Sequence, residues 1–466
     1  MTNSAKAPEM TAEQNKALEL MLSGKNVFLT GEAGTGKSAL LKKLCEKTND
    51  KNTVFLAPTG IAACNIKGRT IHSFCKLGLG LQTEETIGAI TNSRFMELLE
   101  AVDTIVIDEI SMVRSDILWA VDNRLRAAAS GRKQNRPFGG KQIIVCGDFF
   151  QLPPVVTTDV EKDYLKETFG GNFAFQTEIW EKAKFKVAML KEQHRQSRDR
   201  VFYQILKNIR HGRLCEKNIL LPGKETPVDV IDALNMCCYS KGNASKAPQA
   251  IALCTTRKQA DAINGRQSSK LNTDAELFKA KITGSFPESE YPTEANLNLQ
   301  KGARVMTLAN KLLPDGSYEY VNGDMGCIEE ISHTEDGLGY VSVRFDDGRS
   351  ALIGAYEWPS YEYKLVYDRM SGKMQIKQIV AGTFLQIPLR LAWAVTVHKS
   401  QGQTFDRAKL FLGNGCFASG QLYTALSRCR SLEGLVLDRK IVKEDIIIDP
   451  DVVNFYESLE SHAIAG

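Results

Sequence analysis

The stretch "NVFLTGEAGTGKSALLKKLCEKT" (26–48) limits the fold of this chain more than any other. It sets a short apolar run directly before G-x-x-x-x-G-K-S (Gly31–Ser38) and a helix-spaced run directly after it. Glycines there let successive backbone N–H groups turn inward as a nest for phosphate oxygens, reinforced by the positive end of the following helix. A glycine-rich turn that only caps a helix needs neither the lysine nor the strand. Gly31, Gly34, Thr35 and Gly36 are expected to form the cradle, Lys37 to reach the β- and γ-phosphates, and Ser38 to ligate Mg²⁺. A strand feeding such a loop predicts an α/β fold with its ligand at the carboxyl end of a parallel sheet.

The rest of the first half has the same texture. "TVFLA" (53–57), "TIVIDEI" (104–110), "QIIVCGD" (142–148) and "KVAML" (186–190) are almost wholly apolar, as parallel strands covered on both faces are. "SDILWAVDNRLRAAA" (115–129) has helical spacing. A second α/β unit is expected from about Val201, where "VFYQILKNIRHG" reads as a helix stopped by Gly212 and "AIALCTTRKQADAINGR" as a strand followed by a helix. From Asn322 to about Pro388, alternating short strands and a "DDG" turn predict a small β-barrel inserted in that unit, which resumes with "LRLAWAVTVHKS".

Two acidic and amide positions complete a hydrolytic pattern. Asp108, at the end of "TIVID", can hold a Mg²⁺ shell, and the adjacent Glu109 can orient and deprotonate water. A lone acid pair is common at a strand end; the apolar strand before it and the phosphate loop upstream favour hydrolysis. "GDFFQLPPV" (147–155) places Gln151 at another strand tip, where it can sense a γ-phosphate, with Pro153 and Pro154 stiffening the loop. Alone, that loop serves a purely structural turn equally well.

Composition adds bounds. The 466 residues are 43% apolar and 24% charged, and a net charge of +4 allows a local basic channel without demanding a polyanionic partner. Eleven cysteines without metal-ligand spacing read as reduced thiols of a cytoplasmic protein. Neither a signal peptide nor an apolar run of membrane-spanning length is found, so no membrane partner is expected.

Together these stretches resemble the superfamily 1B DNA helicases, and within them the Pif (petite integration frequency) family, with phage Dda and bacterial RecD as relatives. "TAEQNKALEL" (11–20), "GEAGTGKS" (31–38), "APTGIAA" (57–63), "TIHSF" (70–74), "DEISM" (108–112), "GDFFQLPPV", "EQHRQ" (192–196), "AVTVHKSQGQTF" (394–405) and "YTALSRCR" (423–430) carry the resemblance in the family's order. It implies two RecA-like P-loop motor domains with ATP and Mg²⁺ in the cleft between them. The first spans 1–200, with a small wedge insertion at about 75–100. The second spans 201–321 and 389–466, with an SH3-like β-barrel, 322–388, inserted in it.

The resemblance also implies roles for residues. Gln14 takes the place of the glutamine that reads adenine, and Arg195 and Arg428 match arginines that reach the γ-phosphate. Thr396, His398, Lys399 and Ser400 would hold phosphates of single-stranded DNA, with Gly402 allowing close approach and Gln401 linking strand to nucleotide. Pro58, Thr59, Gly60, His72 and Phe74 would do corresponding work on the first domain. Each histidine alone reads more readily as a core residue. Phe74, Trp393 and Phe405 are candidates for stacking on bases, although apolar flanks favour core packing for Trp393.

The implied activity is an ATP-dependent DNA helicase translocating along single-stranded DNA, 5′ to 3′ by resemblance alone, and opening single-strand/duplex junctions or G-quadruplex DNA. A monomeric, minimal motor of bacterial or phage type, cytoplasmic or nucleoid-associated, with replication or repair partners, is the matching expectation. An RNA-directed helicase and a RecD-like subunit of a larger complex stay open. A P-loop switch or kinase also stays open, but neither needs a water-activating glutamate beside the Mg²⁺ ligand.

Overall fold

The computed structural model describes residues 10–48, 52–78, 80–88, 92–196, 199–239, 250–314, 317–333, 339–368 and 373–464. The chain divides into two compact units. The first holds Pro8–His194, Ser360–Ala381 and Pro450–Gly466; the second holds Arg195–Pro359 and Gly382–Asp449.

The first unit is built on a six-stranded sheet of β1 (Val27–Gly31), β2 (Thr53–Ala57), β3 (Arg69–Thr70), β4 (Thr104–Ile107), β5 (Gln142–Cys146) and β6 (Lys186–Leu190). The order is β3-β2-β4-β5-β1-β6 and every pairing is parallel. Val27, Phe28 and Leu29 are all fully buried, so β1 shows no in–out alternation and needs helices on both faces. Helices α1 (Ala12–Leu22) and α2 (Lys37–Lys47) supply Leu18, Met21, Leu40 and Leu44 to the core around Leu29, Val106 and Ile144. Because β4, β5 and β1 are neighbours, the loops that leave them share one edge of the sheet.

The segment expected to be a wedge is held from below. Arg124, on the helix Ser115–Ala128, is buried and donates to the carbonyls of Cys75 (3.2 Å), Lys76 (3.3 Å), Ile87 (2.6 Å) and Gly88 (3.0 Å). Asp116 on the same helix accepts from Gln82 N–H at 2.8 Å and from both Nε and Nη2 of Arg114. The two ends of 75–88 are therefore tied to the helix that follows Glu109. Residues 79 and 89–91 lie outside the described residues.

The expected domain boundaries need correction. The helix Pro450–Ile464, assigned from sequence to the second motor, packs in the first unit. Its Phe455 stacks on Phe175 at 4.3 Å and meets Phe149 edge-on at 5.7 Å, which gives the helix its apolar anchor. Residues 360–381, expected within the β insertion of the second motor, also fold with the first unit. There the Tyr363 phenol accepts from Phe55 N–H at 3.1 Å, and Ile376 N–H donates to Asn52 Oδ1 at 2.9 Å.

The second unit has a four-stranded parallel sheet in the order Ala394–Thr396, Ile251–Cys254, Ala408–Phe411, Leu435–Leu437. A five-stranded antiparallel sheet follows the order Ser350–Ile353, Gly339–Phe345, Met325–His333, Arg304–Thr307, Leu389–Leu391. Val341, Val343 and Phe345 alternate inward along one strand, as a half-covered sheet requires. Gly348, at φ 88°, closes the "DDG" turn. Antiparallel pairing begins earlier than the expected Asn322, at Glu276–Lys279 against Asn296–Leu299. Four-residue strands, one of them (Lys281–Gly284) exposed throughout, carry too little apolar alternation to announce themselves.

Among the described residues no helix is long and apolar enough to cross a membrane, and no group of three or more His, Cys, Asp or Glu could hold a metal ion by itself.

Candidate nucleotide site and strand-binding surface

The phosphate loop leaves β1 at Gly31 and enters α2 at Lys37. Gly34 (φ 90°) and Gly36 (φ 87°) lie in the left-handed region that side chains rarely adopt. Crowding excludes side chains as well. A Cβ on Gly31 would stand 2.4 Å from the Leu190 carbonyl oxygen, and one on Gly36 would stand 2.5 Å from the Gln14 amide nitrogen. Lys37 Nζ donates to the carbonyls of Gly31 (2.8 Å) and Glu32 (2.9 Å), which keeps its charge on the loop. Thr35 is buried and its hydroxyl donates to Glu32 O at 2.9 Å, so its side chain shapes the turn. Ser38 is exposed in the first turn of α2.

Gln14 sits beside this loop for a local reason. Its Oε1 accepts from Thr11 N–H at 3.1 Å and Thr11 Oγ1 accepts from Gln14 N–H at 3.2 Å, a reciprocal cap that fixes the side chain as α1 begins. Two contacts were not foreseen from sequence. Gln193 Nε2 donates to Ala33 O at 2.8 Å and His194 N–H donates to Gly34 O at 3.0 Å, so the segment after β6 grips the loop. "EQHRQ" was legible as a motif, but this contact exists only because β6 pairs with β1.

Asp108 is buried just past β4. Burial pushes its carboxyl up, against the Glu109 N–H at 2.9 Å, the Cys146 thiol and the Lys37 ammonium, which all favour the carboxylate. The effect of Lys37 on Asp108 brings phosphate loop and acid into one electrostatic neighbourhood. Glu109 itself adopts φ 50°, ψ 46°, a left-handed backbone on a residue with a full side chain. Such a conformation costs on the order of 1–3 kcal/mol and persists where the surroundings impose it. The turn that follows is tightly packed: a Cβ on Gly147 would come within 2.9 Å of Ile110 Cγ2. The buried Gln151 follows on the neighbouring strand's loop, its N–H donating to Asp148 O at 2.9 Å. The Asp108 carboxylate and Ser38 hydroxyl are hard oxygen donors, the chemistry that suits Mg²⁺ accompanying a polyphosphate.

In the second unit, Arg195 meets "YTALSRCR". Arg195 Nη1 donates to Ser427 O at 2.8 Å. The buried Arg428 donates from Nε to Thr424 O at 3.0 Å and from Nη2 to Ser427 Oγ at 2.9 Å. Burial pulls the Arg195 guanidinium down to about 9, and the positive charge of Arg428 adds to the effect. Two cations held this close favour an anion beside them.

The stretch "TVHKSQGQTF" divides into groups that build the turn and groups that face outward. Thr396 is buried and its Oγ1 accepts from Lys399 N–H at 3.3 Å. Ser400, expected to hold a strand phosphate, is fully buried, its hydroxyl donating to Val397 O at 2.7 Å. His398 is half-buried, and burial lowers its pKa, favouring the neutral imidazole. Lys399 is exposed, yet partial loss of water and the nearby cations Arg390 and Arg257 lower its pKa. Glu294 and Asp261 act the other way; Arg257 pairs with Asp261 at 3.5 Å, and the Arg390 guanidinium donates to Pro292 O at 3.0 Å. The Gln401 amide nitrogen has no hydrogen-bond partner among the described residues, and Gly402 turns at φ 76°.

The aromatic candidates fare differently. Phe405 is 3% exposed, and Trp393 packs partly buried against the antiparallel core. Phe74, also 3% exposed, meets Tyr363 edge-on at 5.7 Å and so packs in the core. Nearby, Thr59 caps the helix Gly60–Asn65 by accepting from Ala62 N–H at 3.3 Å, and Pro58 is half-buried. His72 is half-buried, its pKa lowered by burial and by Arg114.

Comparison with known proteins gives consistent likenesses. The family described as PIF1-like helicase matches residues 9–219. "ATP-dependent DNA helicase PIF1" of Danio rerio is 35% identical over 98% of this chain and 65% of its own, so the chain spans less than two-thirds of that relative's length. "ATP-dependent DNA helicase Pif1" of Bdellovibrio bacteriovorus is 31% identical over 97% of this chain and 92% of its own. Among solved structures, Pif1 from Bacteroides sp in complex with ADP-AlF4 superposes with a TM-score of 0.82 at 33% identity, covering 98% of both chains. The same helicase bound to single-stranded DNA superposes with a TM-score of 0.66 at 34% identity, again over 98% of both.

Proposed function

Because this chain belongs to the PIF1-like helicases, we propose that it is an ATP-dependent DNA helicase that moves along single-stranded DNA and opens the duplex ahead. The observation that carries this reading is a phosphate loop at the end of β1 whose Lys37 acts electrostatically on the buried Asp108 just past β4, with the adjacent Glu109 on a left-handed backbone. A binding module gains nothing from a carboxylate held at that cost. The relative crystallised with ADP-AlF4, in which aluminium fluoride stands for the transferring phosphoryl group, supports a hydrolytic role.

In this reading Gln14 lies where adenine is read, and the backbone of Gly31–Gly36 holds the phosphates. Lys37 exchanges loop carbonyls for phosphate oxygens. Ser38 and Asp108 hold Mg²⁺, which supplies charge neutralisation at the phosphates. Glu109 orients and deprotonates the water and Gln151 reports on the γ-phosphate; in the second unit Arg195 and Arg428 are planar cationic forks of the kind that suits a phosphate. On the second unit Lys399 and Arg257 hold strand phosphates without regard to base identity, aided by His398, Thr396, Gly402 and Gln401; on the first unit Pro58, Thr59, Gly60 and His72 do corresponding work. The antiparallel region corresponds to the family's SH3-like insertion, and the direction of travel is 5′ to 3′.

Two tailed duplexes, one with a 5′ and one with a 3′ single strand, test this directly. Opening of the 5′-tailed substrate alone, dependent on ATP and Mg²⁺, is expected. ATP turnover that no DNA strand accelerates would refute the proposal, and acceleration by RNA alone would redirect it.

Lys399→Ala is expected to weaken strand binding by roughly tenfold and reduce the salt slope by up to about 0.7 log units per log unit of salt. Fluorescence anisotropy of a labelled oligonucleotide across a salt series measures it; an unchanged slope takes Lys399 off the phosphate path.

A further inference from the structure

Tyr456, on the helix Pro450–Ile464, is 4% exposed, yet its phenol oxygen is surrounded by polar groups. It lies 2.7 Å from Thr30 Oγ1, 3.3 Å from Phe149 N and 3.5 Å from Asp148 Oδ1. A phenol has one proton to give and can accept more than one hydrogen bond. All three contacts are met when the Thr30 hydroxyl and the Phe149 N–H donate to the phenol and the phenol donates to Asp148.

The partners' positions give this oxygen its interest. Thr30 immediately precedes Gly31, where the phosphate loop begins. Asp148 and Phe149 open the loop that carries Gln151, and the Asp148 carbonyl accepts from Gln151 N–H at 2.9 Å. One side-chain oxygen thus joins the roots of two loops on adjacent strands. Packing does not require it. The Tyr456 ring lies 4.8 Å from Phe150, and Phe455 is anchored on Phe175, so phenylalanine at 456 keeps the apolar seating. A buried hydroxyl that contributes nothing to packing costs free energy unless its hydrogen bonds are made.

We propose that Tyr456 is a positioning residue for ATP turnover, holding the Gln151 loop in register with the phosphate loop. The inference rests on the ATP-hydrolysing role proposed above. Gln151 senses the γ-phosphate only if its loop starts from a fixed place relative to the loop that binds that phosphate. Tyr456 supplies the fixed place.

The test uses Tyr456→Phe, Thr30→Val and the double variant, each nearly isosteric, with strand-stimulated ATP turnover measured at saturating single-stranded DNA. Tyr456→Phe is expected to lower kcat about tenfold, less than the roughly 10²-fold that a 1 Å misplacement can cost. KM for ATP should stay within about twofold, the signature of an interaction that acts on turnover rather than on binding. The unfolding temperature should fall by no more than about 2–4 °C. Thr30→Val should lower kcat similarly, and the double variant should lose little more than the worse single, because the two act through one bond. Wild-type kcat in Tyr456→Phe overturns the inference, as does a rise in KM alone or fold-losses that multiply in the double variant. A wild-type chain with no strand-stimulated turnover sinks the proposed function and this inference with it; an active wild type beside an equally active Tyr456→Phe sinks the inference alone.

Discussion

Lys37→Ala removes ATP turnover, lowering it by about 10²–10³-fold or more at saturating single-stranded DNA. The ammonium donates to the carbonyls of Gly31 and Glu32, and it favours the charged form of Asp108. Alanine therefore deletes two things together: the charge that answers the phosphates, and the cation that opposes the burial of Asp108. Without it the Asp108 carboxyl is pushed further up, and its hold on Mg²⁺ weakens at neutral pH. Nucleotide binding should fall with turnover, which a fluorescent ATP analogue detects. Arginine should not rescue: a planar five-donor fork does not replace a compact point charge on this loop. The glycines and Thr35 shape the loop without the lysine side chain, so the unfolding temperature should scarcely move. Residual turnover within tenfold of the wild type would remove Lys37 from the phosphates.

How far the site could be read from sequence depended on distance along the chain. The phosphate loop was legible because its glycines, lysine and flanking elements are contiguous, and "TVFLA" and "KVAML" coincide with β2 and β6 residue for residue. The placement of Phe455 and Tyr456 was not legible. Two aromatics on a helix announce that they will be buried, not against which sheet, and their partners lie some three hundred residues away. The same holds for Tyr363 against Phe55 and for Arg257 and Arg390 beside Lys399, where charges distant in sequence share a surface only after folding. Ser400 and Phe74 illustrate the opposite case. Their motif positions pointed outward to DNA, while local physics turned them inward. A serine hydroxyl readily bonds a backbone carbonyl three residues back, and Phe74 fills the core beside Tyr363. Motif membership says which stretch to look at; it could not say which of its side chains folding turns inward.

Glu109→Gln should separate binding from chemistry where Lys37→Ala destroys both. Glutamine has the size of glutamate and keeps a hydrogen-bonding end, so the φ 50° backbone has no reason to change. Asp108 keeps its backbone bond from residue 109 and the influence of Lys37. What disappears is the capacity to take a proton from water. General-base removal costs about 10²–10⁴-fold, and that loss should fall on kcat with KM for ATP near the wild-type value. Single-turnover hydrolysis by rapid quench, beside equilibrium binding of ATP and of a labelled single strand, reads the three quantities separately. The expected variant holds ATP and DNA together and hydrolyses almost none of the bound nucleotide. Wild-type single-turnover rates would show that another group activates the water and that the strain at Glu109 serves the turn alone. A parallel loss of ATP binding would instead mean that this carboxylate belongs to the Mg²⁺ shell, because only a metal-holding role ties the charge at 109 to ground-state affinity.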